Sequence, residues 1–589
     1  MRPDASIAHH GFELVVPELR VTAAGGTTLR MADLLLGPLL RHVGERDASV
    51  WVETTASCEV EVRSGASTGR ERTFAVAGHH YAIVVLDGLE PASSTPYEVR
   101  VDGELVWPLP DSELPPSRIR TVDPTRPIRL IFGSCREVPL APEVDESKVE
   151  PDVLDAFATR MAEQHHQDWP DLLLFVGDQI YADETSAPMR EFIKRRRDIR
   201  RPPKAEVADF EEYTQLYLES WKVPRTRWLL STMPTSMIFD DHDVRDDWNT
   251  SQAWRLDMQK TDWWEERITG ALMSYWIYQH LGNLTPAGLA ANETYQTVRG
   301  LPDGEEALRA FAQAADREAD GAKGTMWSYR RDYGPVRLLV IDSRCGRVLA
   351  DGRRSMVSDK EFDWIEAQTA DGEFEHLVVA TSMPWLLPRA LHDIESWNEA
   401  LAAGSRGRIM GRMAEWVRRA VDLEHWAAFR KSFDRLAALF ERVGRGEGGR
   451  QAPATICVLS GDVHHTYVAE ADYKVPLASR VYQITCSPIH NTIPLLMRIV
   501  FRVGWSKAVE RIVHQMDRVT RVPPLPIKWH HPAGPYFGNI LALLTLDGPK
   551  ARVRLEKAVR TDASDGGPRS VDLAVIEDRL LTDTGRVAP

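Results

Sequence analysis

The sequence predicts an α/β fold preceded by a smaller all-β unit, and three observations carry that prediction. Four apolar runs of strand-like composition each end in a turn followed by carboxylate, imidazole or thiol side chains. From about residue 126 onward, apolar runs of strand length alternate with helical spacing. Before that point the spacing is period two, with turn formers between short runs. At 589 residues the chain exceeds one ordinary domain, and the change of pattern divides it into residues 1–125 and 126–589.

In the first part, Val50 to Glu53 and Cys58 to Arg63 alternate apolar and polar residues, and Tyr81 to Leu86 is an apolar run, as in a small β-sandwich. Leu89-Glu90-Pro91 followed by Thr95 to Val101 resembles the tyrosine-corner strand of fibronectin type III domains, which implies a fibronectin III-like unit. Pro108, Pro110, Pro115 and Pro116 read as a linker. Met1 to Leu19 carries no twin arginine and no uninterrupted apolar stretch, so a cytoplasmic location is expected. No run approaches the roughly 18 apolar residues that a bilayer span requires.

In the second part, Asp152 to Gln164 and Ala205 to Trp221 read as helices. Trp248, Trp254, Trp263, Trp264 and Trp276 fall at helical spacing, which predicts core rather than a stacking platform for a ligand. Val336 to Ile341 is a strand running into Asp342-Ser343-Arg344, and His376 to Thr381 another running into Ser382. Asp393 to Arg450 reads as mostly helical and charged, ending in a loop from Gly444. Within 491–522, Met497, Phe501, Trp505, Val509, Ile512 and Met516 keep helical spacing beside several arginines. Such a helix packs on its own domain or makes a weak contact with a membrane surface. Phe537 to Leu546 and Ala551 to Leu555 predict a closing antiparallel pair.

The net charge of −14, from 72 basic and 86 acidic residues, argues against a nucleic-acid scaffold binder. It leaves room for a small anionic ligand held locally. The five cysteines are odd in number and lack CxxC spacing, which excludes a disulfide framework and a structural zinc site and fits a reducing compartment. Cys58, Cys345, Cys457 and Cys486 read as small buried hydrophobes.

The chemistry lies at the four run ends: Gly133-Ser134-Cys135-Arg136, Gly177-Asp178-Gln179-Ile180-Tyr181, Asp240-Asp241-His242-Asp243 and Gly461-Asp462-Val463-His464. Strand ends of an α/β sheet share one rim, so these segments can converge. Carboxylates so clustered repel one another unless a cation sits among them.

The ordered set resembles the PhoD-like alkaline phosphatase/phosphodiesterase family, a branch of the calcineurin-like metallophosphoesterases. That resemblance implies a sandwich of two mixed β-sheets flanked by helices, with a dinuclear metal centre at the strand ends. It implies that Asp178 bridges both ions, that Cys135, Tyr181 and His464 join it around one, and that Asp241 and Asp462 hold the other. His242 stands where the family keeps an imidazole beside the phosphate and its leaving group. Thiolate, phenolate and imidazole suit a trivalent or borderline ion, and known members use ferric iron there. Asp241 stands where the usual metallophosphoesterase has Asn, Asp462 where it has His, and Ser382 near a further His, which makes the second position richer in oxygen and favours Ca²⁺ over Zn²⁺ beside Fe³⁺, with Mn²⁺, Mg²⁺ and Zn²⁺ as alternatives.

Arg136, next to Cys135, is a candidate phosphate clamp because a guanidinium matches phosphate oxygens bidentately. Asp183, Asp240, Asp243 and His465 are expected to orient ligands, and Asp246 and Asp247 to start a helix. Asp342, His490, His530 and His531 read as structural. The expected activity is metal-dependent hydrolysis of a phosphate mono- or diester by activated water. A phospholipid-directed phosphodiesterase and a non-catalytic metal or phospho-ligand binder are the alternatives. The presence of both Asp178 and His242 counts against the second.

Overall fold

The computed structural model describes residues 32–138, 149–320, 324–350, 353–491, 505, 522–561 and 570–582. Met1 to Leu19, and all of 491–522 except Asn491, Trp505 and Val522, lie outside the described residues.

Two mixed sheets form the centre. Ile128–Gly133 (β1), Leu172–Val176 (β2) and Thr235–Ile238 (β3) run parallel. They are continued beyond β1 by the antiparallel strands Ile540–Asp547, Lys550–Thr561 and Ser570–Leu580. The expected closing pair is therefore present. In the second sheet Val336–Ile341 (β4), His376–Thr381 (β5) and Thr455–Ser460 (β6) are parallel neighbours, with β4 flanked by the antiparallel Tyr329–Tyr333. Arg480–Thr485, Thr466–Asp472 and Lys528–Tyr536 extend it beyond β6.

The period-two alternation of β4, β5 and β6 explains why these sheets pack as layers. Leu338, Val340, Val378, Ala380, Cys457 and Leu459 share a core with Leu130, Leu173 and Leu541 of the first sheet. The intervening Leu339, Ile341, Leu377, Val379, Ile456 and Val458 face the opposite way, onto Phe433, Leu436 and Phe440 of the helix Arg430–Gly444. The helix Val153–Glu163 (α1) begins at Asp152, whose carboxylate caps the backbone N–H groups of Leu154 and Asp155. Trp248, Trp254, Trp264 and Trp276 are buried core, as their spacing predicts.

The N-terminal strands form a four-stranded and a five-stranded sheet, and Leu40, Val50, Val52, Ala82 and Val84 of one face Val60, Val62, Val99 and Val101 of the other. The all-β expectation holds. The alternate residues Leu39, Trp51, Tyr81 and Ile83 belong instead to the central core, continuous with β1 and β2. Tyr97 does not close a tyrosine corner: its hydroxyl donates to the Ser231 carbonyl at 2.7 Å. The proline-rich stretch is likewise tied down, since Trp228 Nε1 donates to the Pro115 carbonyl at 2.7 Å.

Candidate metal centre

Three of the four predicted run ends turn sharply. Cys135, Asp178, Asp462 and His464 adopt φ of 55°, 51°, 67° and 50°, left-handed backbone that non-glycine residues seldom occupy. Such strain clusters where a site dictates side-chain direction. Two glycines let the tips approach. A Cβ on Gly177 would lie 2.7 Å from Asp240 Cβ, and one on Gly461 would collide with the Ser134 side chain. The second approach joins the two sheets: the Asp462 N–H donates to Ser134 Oγ at 3.1 Å.

The result is a convergence of four carboxylates. Ligand atoms of Asp178, Asp240, Asp241 and Asp462, drawn from three strand ends in two sheets, lie within 4.8 Å of one another. Cys135 Sγ sits 3.1 Å from Asp178 Oδ2. Asp243 braces two of the tips from below, its Oδ2 accepting the backbone N–H groups of Asp178 at 3.0 Å and Asp240 at 2.9 Å. His242 stacks on Tyr181 with ring centroids 4.6 Å apart, and its Nδ1 lies 3.0 Å from Asp183. Asn491 Nδ2 donates to the Tyr181 hydroxyl at 3.2 Å.

Electrostatics show what the cluster lacks. Burial, with Cys135 and Asp240 alongside, pushes the Asp178 carboxyl well above its usual range. Burial also raises Asp240 and Asp241, although the Arg344 guanidinium opposes it. Burial lifts the Cys135 thiol to about 12 and the Tyr181 phenol further above its ordinary value. Asp178 Oδ1 and Asp240 Oδ2 are buried without a hydrogen-bond partner among the described residues. Buried polar atoms are rarely left so, and an oxygen-lined, anionic, unsatisfied cluster fits a hard cation. The neighbouring thiol, phenol and imidazole fit a second ion, trivalent or borderline in character.

Cys135, Asp178, Asp241 and Asp462 are thus brought together. Tyr181 and His242 stack beside them, and His464 acts electrostatically on Asp462. Arg136 is placed differently from expectation. Its buried guanidinium is 3.0 Å from Asp152 and donates to the Ser220 carbonyl and Thr226 Oγ1, tying the start of α1 to neighbouring helices rather than facing the carboxylates. Asp246 and Asp247 also depart from expectation, because Ser251 caps the next helix. Their backbone N–H groups instead donate to Asp183 at 2.6 Å and Asp241 at 3.1 Å.

Sequence reading missed a basic layer beneath the site. Arg344 is fully buried and ion-paired to Asp240, to Asp241 at 3.0 Å and to Glu424 at 2.6 Å. His425 lies 2.8 Å from Asp462 and 2.6 Å from Glu395. Burial opposes ionisation of Asp462, but His425 and then Arg344 outweigh it and hold that carboxyl far below its usual range. Arg344 follows a strand end, so the pattern that marked the other tips also marked it. Glu424 and His425 lie between helices and carry no such signal.

A family model described as PhoD-like phosphatase matches residues 153–496, and one described as a domain of unknown function (DUF7800) matches residues 31–119. No curated protein matches the sequence. Among solved structures, one titled as the structure of PhoD aligns over 94% of this chain and 94% of its own, with 13% identity and a TM-score of 0.54. Purple acid phosphatase PPD1 from yellow lupin (Lupinus luteus) seeds aligns over 92% of this chain and 74% of its own, with 11% identity and a TM-score of 0.47.

Proposed function

This chain belongs to the PhoD-like phosphatase family, whose model spans 153–496, and from that premise we propose that its metal-dependent phosphoester hydrolysis acts on a small mono- or diester at a centre of two ions that Asp178 would help to hold. The convergence of four carboxylates with unpartnered buried oxygens carries the reading. Cys135, Tyr181 and His464 would hold one ion with Asp178. Asp241 and Asp462 would hold the other, with Asp240 close enough to join them. Donor chemistry favours ferric iron at the first position and calcium at the second. When bound, such a pair supplies positive charge against the anionic ester and acidifies water.

The remaining work falls to side chains. Asp183 takes Nδ1 of His242, which fixes the ring and leaves Nε2 as the atom that exchanges a proton with the leaving oxygen. Burial works against a charged His242, and the Asp183 carboxylate hydrogen-bonded to its Nδ1 works for it, lifting the imidazole above its ordinary range. The imidazolium form is the acid a departing alkoxide needs. Arg344 and His425 hold Asp241 and Asp462 in place from the buried side. For location, the five cysteines are buried and without disulfides, which supports a reducing, cytoplasmic compartment.

The test is hydrolysis of a chromogenic phosphate monoester and the matching diester, with iron and calcium supplied, by wild type and Asp178→Asn. Turnover of either ester by wild type, lost in the variant, is expected, and the preferred ester narrows the substrate class. A folded, metal-loaded wild type that turns over neither ester would contradict the reading.

A further inference from the structure

The helices Arg389–Ala402 (α2) and Arg408–Ala420 (α3) pack against each other. The inner face of α3 is well fixed. Gly411 lies against the Leu401 carbonyl, the Ala414 carbonyl accepts from Asn398 at 2.9 Å, and buried Arg418 pairs with Glu399 at 2.5 Å. Its outer face is unlike that of other surface helices. Ile409, Met410, Met413, Trp416 and Val417 are all exposed, and Val421 follows just past the helix end. These six are among the fourteen large apolar side chains exposed in the described residues, so the apolar surface is concentrated here. Ile409 is 79% exposed and Trp416 72%.

At 3.6 residues per turn, the five within the helix fall in an arc of about 120°, with Arg408 and Arg412 along one flank beside Arg419, which pairs with Asp257 at 2.8 Å, and with Gly411, Ala414 and Arg418 opposite. Segment 405–421 holds five arginines and one glutamate in a chain of net charge −14; Arg418 is buried against Glu399 and Glu415 and Arg419 pairs with Asp257, so Arg408 and Arg412 carry the exposed charge of the flank. A basic flank beside an apolar arc bearing tryptophan matches the boundary between anionic headgroups and acyl chains. It does not match a core, which excludes charge, nor a solvated surface, which does not gather apolar residues. No helix in the described residues is long and apolar enough to cross a membrane, so contact through α3 is interfacial.

We propose that α3 is a membrane-docking helix that inserts its Ile409–Met413–Trp416 face into an anionic lipid surface. Glu424, which pairs with Arg344, and His425, which meets Asp462, follow α3 by four and five positions in the chain. Lipid contact therefore places that segment at the membrane. The proposal rests on exposure and charge, and stands or falls independently of the hydrolase reading.

The test is co-sedimentation of the full chain with phosphatidylcholine vesicles, with and without phosphatidylserine. Wild type is expected to sediment with the anionic vesicles. Ile409→Asp/Trp416→Asp is expected to weaken that binding by about tenfold or more. Arg408→Gln/Arg412→Gln is expected to weaken it by about tenfold on anionic vesicles alone. Unchanged thermal unfolding shows that the variants fold, since every substituted side chain is exposed. No sedimentation of wild type, or equal sedimentation of Ile409→Asp/Trp416→Asp, overturns the proposal. So does a wild-type dimer in lipid-free solution that the same variant makes monomeric, which would assign the face to a second copy of the chain.

Discussion

Two buried polar regions of this molecule use the same ingredients to opposite ends. Where the N-terminal sandwich meets the second unit, Arg41 is wholly buried, yet its terminal nitrogens donate to the carbonyls of Tyr278 at 2.8 Å and Gln279 at 2.7 Å. Arg331 nearby donates to the Gly282 and Asn283 carbonyls. Burial lowers Arg41 only to about 9, so it stays charged at neutral pH. At the metal centre, burial leaves carboxylate oxygens unmatched and like charges adjacent. At the joint both terminal nitrogens of Arg41 meet carbonyls and only its Nε is left without a partner among the described residues, which is architecture. At the centre four carboxylates face one another, which is a site.

That contrast can be broken in several ways. The largest effect expected is on turnover: Asp178→Asn should lower it by at least about 10³-fold, measured with whichever ester wild type prefers. In metal-free protein the same change should raise the melting temperature, because it removes a carboxylate whose ionisation the fold opposes. A melting temperature that falls would mean the cluster is self-satisfied. His242→Gln should lower turnover by about 10²-fold with metal content unchanged, and Asp183→Asn by about tenfold. Equal metal loss in either variant would make them structural.

At the joint, Arg41→Met should destabilise the protein by about 2–3 kcal/mol in chemical denaturation, by the same amount with and without chelator. A chelator-dependent effect would show that the two regions are coupled. A pH-dependent effect concerns His79, which bridges Glu53 at 3.2 Å and Glu211 at 2.8 Å. Burial opposes its charge, but those carboxylates raise its pKa from 6.5 to about 9. Its contribution is complete below pH 6.5 and fades as pH rises through about 9, so stability should decline across that window. His79→Gln should flatten the decline.

The two regions also differ in how far sequence discloses them. The tips Cys135, Asp178, Asp241 and Asp462 were legible because an apolar run ending in ligand-type side chains is a local pattern. The joint was not, because nothing local marks Arg41 as the residue whose partners lie more than 230 positions away. Arg136 misled for a related reason: adjacency to Cys135 says nothing of side-chain direction, and the guanidinium turns to Asp152. Glu424 and His425 reach the centre only through tertiary packing. The apolar spacing of Ile409, Met413 and Trp416 is visible in the sequence, but the same spacing usually means a packed face, and exposure is read only from the fold.

The most direct test of the central claim is metal content per chain, measured by elemental analysis on purified wild type and Asp178→Asn after loading with iron and calcium. A centre assembled from both sheets and shared through Asp178 predicts about two ions per wild-type chain and loss of both in the variant. Wild type without bound metal, or a variant that keeps its full complement, would contradict it.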